Sequence, residues 1–311
     1  MRDRLYLVGF LLGAGVLLYL GRGLLQKSDI VTFGLAFGGT TAVAVLAVTL
    51  YRVQQELGAS RRELARREAE LSFALQVQQA LFPRQFPEGE GLEFAAVCVP
   101  ARGISGDYYD VLRLPDGRLV FAIADVSGKG ISAAILMSNV HAVLRVLTAS
   151  GHSPSEVCSK LNRHFYQVAA DSRFATLFYG EWSPAHRRLS FINAGHNPPL
   201  LIGGERRERL DAGGPPLGIF PETVYPVGSL DLVPGDLLVL YSDGITEAGV
   251  ERGEPFGEAR LEALVREHRE KGLAEIQQEV LATARAWSQG EAEDDMTLLL
   301  VRAQEIGREA T

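Results

Sequence analysis

The stretch GDYYDVLRLPDGRLVFAIADVSGKG, residues 106–130, decides how this chain folds. Two segments that read as strands, 106–114 and 118–125, flank Pro115-Asp116-Gly117, which is a turn signal. A three-residue hairpin loop pairs Leu114 with Arg118. Counting back along that register places Asp107 directly across from Asp125. Like charges facing each other destabilise a strand pair. Two carboxylates so placed need a cation, or one must keep its proton. A bulge would shift the register by one residue, so the expectation rests on a regular hairpin.

A second reading competes for the same residues. Gly128-Lys129-Gly130-Ile131-Ser132-Ala133 matches G-x-G-x-x-A after a strand and before a helix, the setting of a dinucleotide fingerprint. That fingerprint calls for an acidic residue about 20 positions further on. No Asp or Glu occurs between Val126 and Ser155, which argues against an oxidoreductase. The glycines then read as the hinge that turns strand into helix.

Working outward, residues 92–101 read as a strand preceding the hairpin. A helix is expected through Ile135, Leu136, Val140, Val143, Leu144 and Leu147, ending at Gly151. Ser153-Pro154-Ser155-Glu156 is a capping box that starts the next helix, to about Ala169. Strands return at 174–182, 187–193 and 199–202, then at 236–242. Helices are expected at 256–270 and 273–287, and a last strand at 296–302. Asp243 ends one strand and Asp294 opens another. If those strands are antiparallel neighbours, both aspartates lie at one end of a sheet, and four aspartates converge: Asp107, Asp125, Asp243 and Asp294. Strands apolar on both faces with segregated helix pairs point to an α+β fold, sheet packed on sheet with helices outside.

The N-terminal part is different. Residues 5–20 and 30–51 contain no charge, and the second run has the length needed to cross a bilayer. A removed signal peptide competes for the first run. Arginines before the first run and after the second exceed the cations of segment 21–29, which predicts a two-helix hairpin with both ends in the cytoplasm. Residues 52–81 have helix composition, with Leu57, Leu64 and Leu71 at seven-residue spacing. They read as a linker helix that forms a dimeric coiled coil or rests on the following domain. Residues 1–70 carry nine Lys/Arg against six Asp/Glu, whereas the whole chain has a net charge of −7. An acidic main domain argues against a nucleic-acid partner. The two cysteines, Cys98 and Cys158, lack metal-ligand spacing and read as free thiols.

The ordered motifs resemble the SpoIIE-type phosphatases of the PPM metal-dependent Ser/Thr phosphatase superfamily. They are Gln78-Gln79-Ala80-Leu81-Phe82-Pro83, Ser105-Gly106-Asp107-Tyr108-Tyr109-Asp110, Ala124-Asp125-Val126-Ser127-Gly128-Lys129-Gly130 and Phe174-Ala175-Thr176-Leu177. Asn193-Ala194-Gly195-His196-Asn197-Pro198-Pro199, Pro216-Leu217-Gly218-Ile219, Tyr241-Ser242-Asp243-Gly244-Ile245-Thr246-Glu247 and Asp294-Asp295-Met296-Thr297 complete the set. The resemblance covers about residues 75–302. It implies an αββα sandwich over residues 83–305, with 306–311 as a tail; the membrane helices in 1–51 and the linker in 52–82 rest on the uncharged runs and helix composition above, and the membrane hairpin departs from family members that carry large sensor domains. The resemblance implies two Mn²⁺ or Mg²⁺ ions, with Asp125 bridging, the Val126 carbonyl as a further ligand, and Asp107, Asp243 and Asp294 completing the cluster. The implied reaction is hydrolysis of phosphoserine or phosphothreonine by a water activated between the ions. The implied substrate is a regulatory phosphoprotein such as an anti-sigma-factor antagonist. A catalytically silent, membrane-tethered scaffold is the alternative.

Other residues of these motifs admit more than one role. Asp110 is an outer-shell ligand through water or a strand-end surface carboxylate. Asp295 reads as a neighbour of the cluster rather than a ligand. His196 reads as stabilising its turn, against the alternative of donating to phosphate, Lys129 as a loop cation or a phosphoprotein contact, and Tyr108 and Tyr109 as packing residues.

Overall fold

The computed structural model describes residues 13–16, 19, 21, 29–101, 103–169, 173–289 and 294–305. The chain divides into two compact units, Met1–Glu70 and Leu71–Thr311. Within the first unit the helix α1, Asp29–Gln79, begins; it carries the second apolar run. In its charged stretch Arg66 pairs with Glu70 and Arg67 with Glu63, both one helical turn apart. The first apolar run lies for the most part outside the described residues, so the hairpin expected there has no structural description. Among the described residues one helix, Ile131–Ala149, is long and apolar enough to cross a membrane. It belongs to the folded unit and buries Ala133, Met137, Val140, Leu144 and Thr148.

The second unit is two sheets between two helix pairs. After α1 come β1 (Leu92–Val99), β2 (Asp107–Arg113), β3 (Leu119–Val126), α2 (Ile131–Ala149) and α3 (Pro154–Val168). Then follow β4 (Ala175–Ser183), β5 (Arg188–Ala194), β6 (Leu200–Gly203), β7 (Arg206–Arg209), β8 (Gly213–Gly214) and β9 (Gly228–Asp231). The chain closes with β10 (Leu237–Tyr241), α4 (Asp243–Thr246), α5 (Glu258–His268), α6 (Leu273–Trp287) and β11 (Met296–Ala303). One sheet has the order β1-β11-β10-β6-β7, and the other β2-β3-β4-β5-β8 with β9 also paired to β5.

Alternation along the strands builds three apolar layers. Val111, Phe121, Ile123 and Phe178 from one sheet meet Phe94, Leu238, Leu240 and Leu299 from the other in the central layer. Tyr108, Val120, Ala122 and Tyr179 face α2 and α3, where Met137, Leu144, Leu161 and Phe165 cover them. Val239, Tyr241, Leu298 and Leu300 face α5 and α6, under Leu261, Val265, Ile276 and Val280. This is the αββα sandwich expected. The hairpin has the regular register, with Leu114 N donating to Arg118 O at 2.8 Å. The capping box of α3 forms: Ser153 N donates to Glu156 Oε2 at 2.9 Å, and the Ser153 side chain accepts from Glu156 N.

Candidate functional site

The hairpin places Asp107 of β2 across from Asp125 of β3. Both have the strand parity of Val111, Phe121 and Ile123, so both belong to the face between the sheets. In the other sheet β10 and β11 are antiparallel neighbours, with Tyr241 opposite Leu298. Asp243 and Asp294 therefore lie just past the same end of that sheet. Ser242 fastens this end: its Oγ donates to Asp295 O at 3.0 Å and accepts from Thr297 N at 2.9 Å. Asp243 opens the short helix α4 rather than ending a strand. The turn is so close to the Asp294-Asp295 segment that a Cβ on Gly244 would stand 2.2 Å from Asp295 O. A Cβ on Gly106 would stand 2.9 Å from the Val126 carbonyl oxygen and 3.6 Å from Asp125 Oδ1. Only glycine at 106 leaves that carbonyl open.

The carboxylates influence one another strongly. Asp107 is 2% exposed, and its Oδ2 is buried with no hydrogen-bond partner. Burial pushes the Asp107 carboxyl well above the usual range, and the charge of Asp125 pushes it further. Asp125 is pushed up to about 7, first by burial and then by the charges of Asp243, Asp294 and Asp295. Asp243 is raised by burial, then by Glu247 and Asp294. Among the described residues no three Asp, Glu, His or Cys side chains already stand close enough to hold a metal ion. The donors are all hard oxygens, one of them buried without a partner, which suits Mg²⁺ or Mn²⁺.

A stability signature follows from Asp125. Its folded pKa lies above the ordinary carboxylate value of 3.8, so folding favours the protonated form. The stabilisation from holding that proton is complete below the ordinary value and is lost as pH rises through about 7. In chelator, Asp125→Asn should therefore melt at a higher temperature than wild type at pH 8, with the gap closing towards pH 5. Parallel melting curves across that range would contradict the assignment.

The remaining expected residues fall in distinct places. Asp110 lies on the opposite face of β2 from Asp107. It is buried there, held by Arg145 of α2 through Nε at 2.7 Å and Nη2 at 2.9 Å, and by Tyr108 Oη at 2.8 Å. It thus ties β2 to α2 rather than joining the other aspartates. Asp295 accepts from Ala101 N at 2.8 Å and Gly106 N at 2.9 Å, anchoring the connection into β2. His196 accepts or donates at Nδ1 to Thr176 Oγ1 at 2.8 Å, and its backbone N donates to Asn193 Oδ1 at 2.7 Å. Burial pushes its pKa down to about 4, so it is neutral near pH 7 and stabilises its turn. Tyr109 stacks on Phe82, with ring centroids 4.8 Å apart. Cys98 and Cys158 are free thiols, and burial pushes Cys98 up to about 12.

Two residues contribute more than the sequence indicated. Gln78, in the last turn of α1, is buried and grips Ser105 at both ends of its amide. Its Nε2 donates to Ser105 O at 2.7 Å, and its Oε1 accepts from Ser105 N at 2.9 Å. Ser105 Oγ in turn accepts from Asp107 N at 2.9 Å. Both residues stand inside motifs quoted above, but neither is a metal ligand by type. Only the tertiary contact shows what they do.

Comparison with known proteins agrees with this architecture. The family model for Stage II sporulation protein E (SpoIIE) matches residues 115–304. The phosphoserine phosphatase RsbU of Bacillus subtilis is 32% identical over 254 residues, covering 81% of this chain and 74% of that protein. Protein IcfG of Synechocystis is 33% identical over 222 residues, covering 62% of this chain but only 35% of that protein. The SiaA PP2C domain of Pseudomonas aeruginosa superposes with a TM-score of 0.69 at 22% identity, over 77% of this chain and 98% of that one. The PP2C phosphatase domain of SpoIIE from B. subtilis gives 0.61 at 24%, over 68% of this chain and 64% of that one. With the two-sheet fold and the aspartates at one end of it, these matches establish that the chain belongs to the SpoIIE family and carries its PP2C-type domain.

Proposed function

We propose that the domain is a divalent-metal-dependent phosphatase acting on phosphoserine or phosphothreonine of a regulatory protein. The observation that carries this reading is the facing pair Asp107 and Asp125, with an unpartnered buried carboxylate oxygen and both pKa values raised. Asp125, Asp107, Asp243, Asp294 and the Val126 carbonyl would hold two Mn²⁺ or Mg²⁺ ions. Bound there, the ions would supply Lewis acidity and activation of water for in-line attack on phosphorus. The residues of the chain do the rest. The aspartates fix where positive charge accumulates, and the burial of Asp107 leaves its side of the cluster least screened by solvent. Asp295 and Ser242 hold the β11 end of the cluster, and Ser105 holds the β2 end. No cysteine or serine nucleophile is required.

RsbU is named a phosphoserine phosphatase, as is RsbP of B. subtilis, 28% identical over 185 residues. This supports a phosphoserine substrate, and an anti-sigma-factor antagonist is the regulatory protein we infer. For the rest of the chain we propose membrane helices in 1–51, a linker in 52–82 and the phosphatase domain in 83–305, followed by a tail. Phe37, Val43, Val45, Leu46, Val48 and Leu50 are exposed along α1, which supports burial of this run in the cytoplasmic membrane, and Arg52, Arg61, Arg62, Arg66 and Arg67 after it support placing the domain on the cytoplasmic side. Leu57, Leu64 and Leu71 are exposed at heptad spacing, which supports homodimerisation through the linker.

The test is phosphate release by the full-length protein from a phosphoserine peptide and a phosphotyrosine peptide, in Mn²⁺ and in EDTA. Release from the phosphoserine peptide alone, abolished by EDTA, is the expected result. Turnover unaffected by chelation would overturn the metal assignment. Absence of turnover despite metal binding would favour a silent scaffold.

A further inference from the structure

Lys129, in the loop between β3 and α2, reaches across to the other sheet. Its Nζ lies 2.8 Å from Asp294 Oδ2. The second oxygen of Asp294, Oδ1, accepts from Asp295 N at 3.0 Å. Both oxygens of one proposed ligand are therefore engaged. The ammonium also acts on Asp243, whose carboxyl it draws down against the upward pull of burial and of its acidic neighbours. A positive charge thus pairs with one carboxylate, and acts electrostatically on a second, that the proposed function assigns to a divalent cation.

We infer that Lys129 is a built-in counter-ion that competes with the divalent metal for Asp294, setting the metal concentration at which the site fills. This inference rests on the assignment of Asp294 and Asp243 as ligands. A compact ammonium and a hard divalent cation seek the same carboxylate oxygens, and the two repel each other when close. Filling the site therefore includes breaking the Lys129–Asp294 ion pair and moving the ammonium aside. The side chain has room to do so, since half of it is exposed. The loop that carries it turns through Gly128 and Gly130, both at positive φ (99° and 75°), which keeps its backbone shape independent of the lysine side chain.

The competition predicts an outcome that a merely structural lysine does not. Removing the charge should tighten metal binding while loosening the metal-free protein. Mn²⁺ binding is measured by titration calorimetry on the full-length wild type, Lys129→Met and Lys129→Arg. Lys129→Met should bind Mn²⁺ roughly two- to fivefold more tightly, the range set by one partly exposed ion pair. Lys129→Arg keeps the charge and should stay near wild type. In chelator, Lys129→Met should melt below wild type, and saturating Mn²⁺ should raise its melting temperature by more than it raises that of wild type. Equal or weaker binding by Lys129→Met would overturn the inference while leaving the carboxylate assignment intact. Failure of all three proteins to bind Mn²⁺ would overturn that assignment and the inference with it. Tightening in Lys129→Arg equal to that in Lys129→Met would also overturn it, because shape rather than charge would then govern the affinity.

Discussion

Asp125→Asn is expected to lower phosphoserine turnover by about three orders of magnitude, the scale of losing a central electrostatic group, while making the metal-free protein harder to unfold. The two effects have one cause. Asp125 faces Asp107 across the hairpin and feels Asp243, Asp294 and Asp295 besides. Without a cation, its charge is a liability that burial makes worse, and the amide removes it at almost constant shape. With a cation, the same charge is what fixes the ion, and the amide cannot replace it. A residue that served only packing would lose stability on substitution, in chelator as well as in metal. Turnover by initial rate and melting temperature in EDTA and in Mn²⁺ check both halves. Activity near wild type would exclude Asp125 from the site.

Gln78→Leu is expected to have the next largest effect, although the residue touches no aspartate. The leucine keeps most of the volume but leaves the N–H and C=O of fully buried Ser105 without their partners. Each orphaned group costs about 1–3 kcal/mol. Ser105 Oγ accepts from Asp107 N, so the loss loosens the strand end that presents a proposed ligand. Partners that orient a metal ligand typically change metal affinity by about 10- to 100-fold. Gln78→Leu should therefore weaken Mn²⁺ binding within that range and lower turnover at limiting metal more than at saturating metal. If stability falls while metal affinity holds, Gln78 is a packing residue only. If both fall, α1 ends on the loop that positions Asp107, and the linker has a direct route to the site.

Much of this was legible in the residues themselves. Pro115-Asp116-Gly117 sets the hairpin register, and the register sets Asp107 against Asp125, because strand pairing follows from turn length. The capping box at Ser153 fixes the start of α3 for the same kind of local reason. Other features lie beyond local rules. β7, β8 and β9 are short, and Gly213–Gly214 has no side-chain pattern to read; these strands exist because the edge of β5 and the rim of β6 are there to pair with. Asp110 shares a motif with Asp107 but stands three residues on, an odd step that sends it to the other face of the strand and to Arg145. Lys129 and Asp294 are far apart in sequence, and their ion pair follows from two sheets meeting at one end. Gln78 stands in the Gln78–Pro83 motif, but its hold on Ser105 depends on a contact 27 residues away that no local rule predicts.

The most direct measurement is the number of Mn²⁺ ions bound per chain, by calorimetry and by elemental analysis after dialysis, in the full-length wild type and Asp125→Asn. The expected result is two ions per wild-type chain, bound more weakly as pH falls through about 7 where Asp125 takes up its proton, and fewer than two in Asp125→Asn. A wild type that binds no Mn²⁺ or Mg²⁺, or an Asp125→Asn protein that binds two with unchanged affinity, would contradict it.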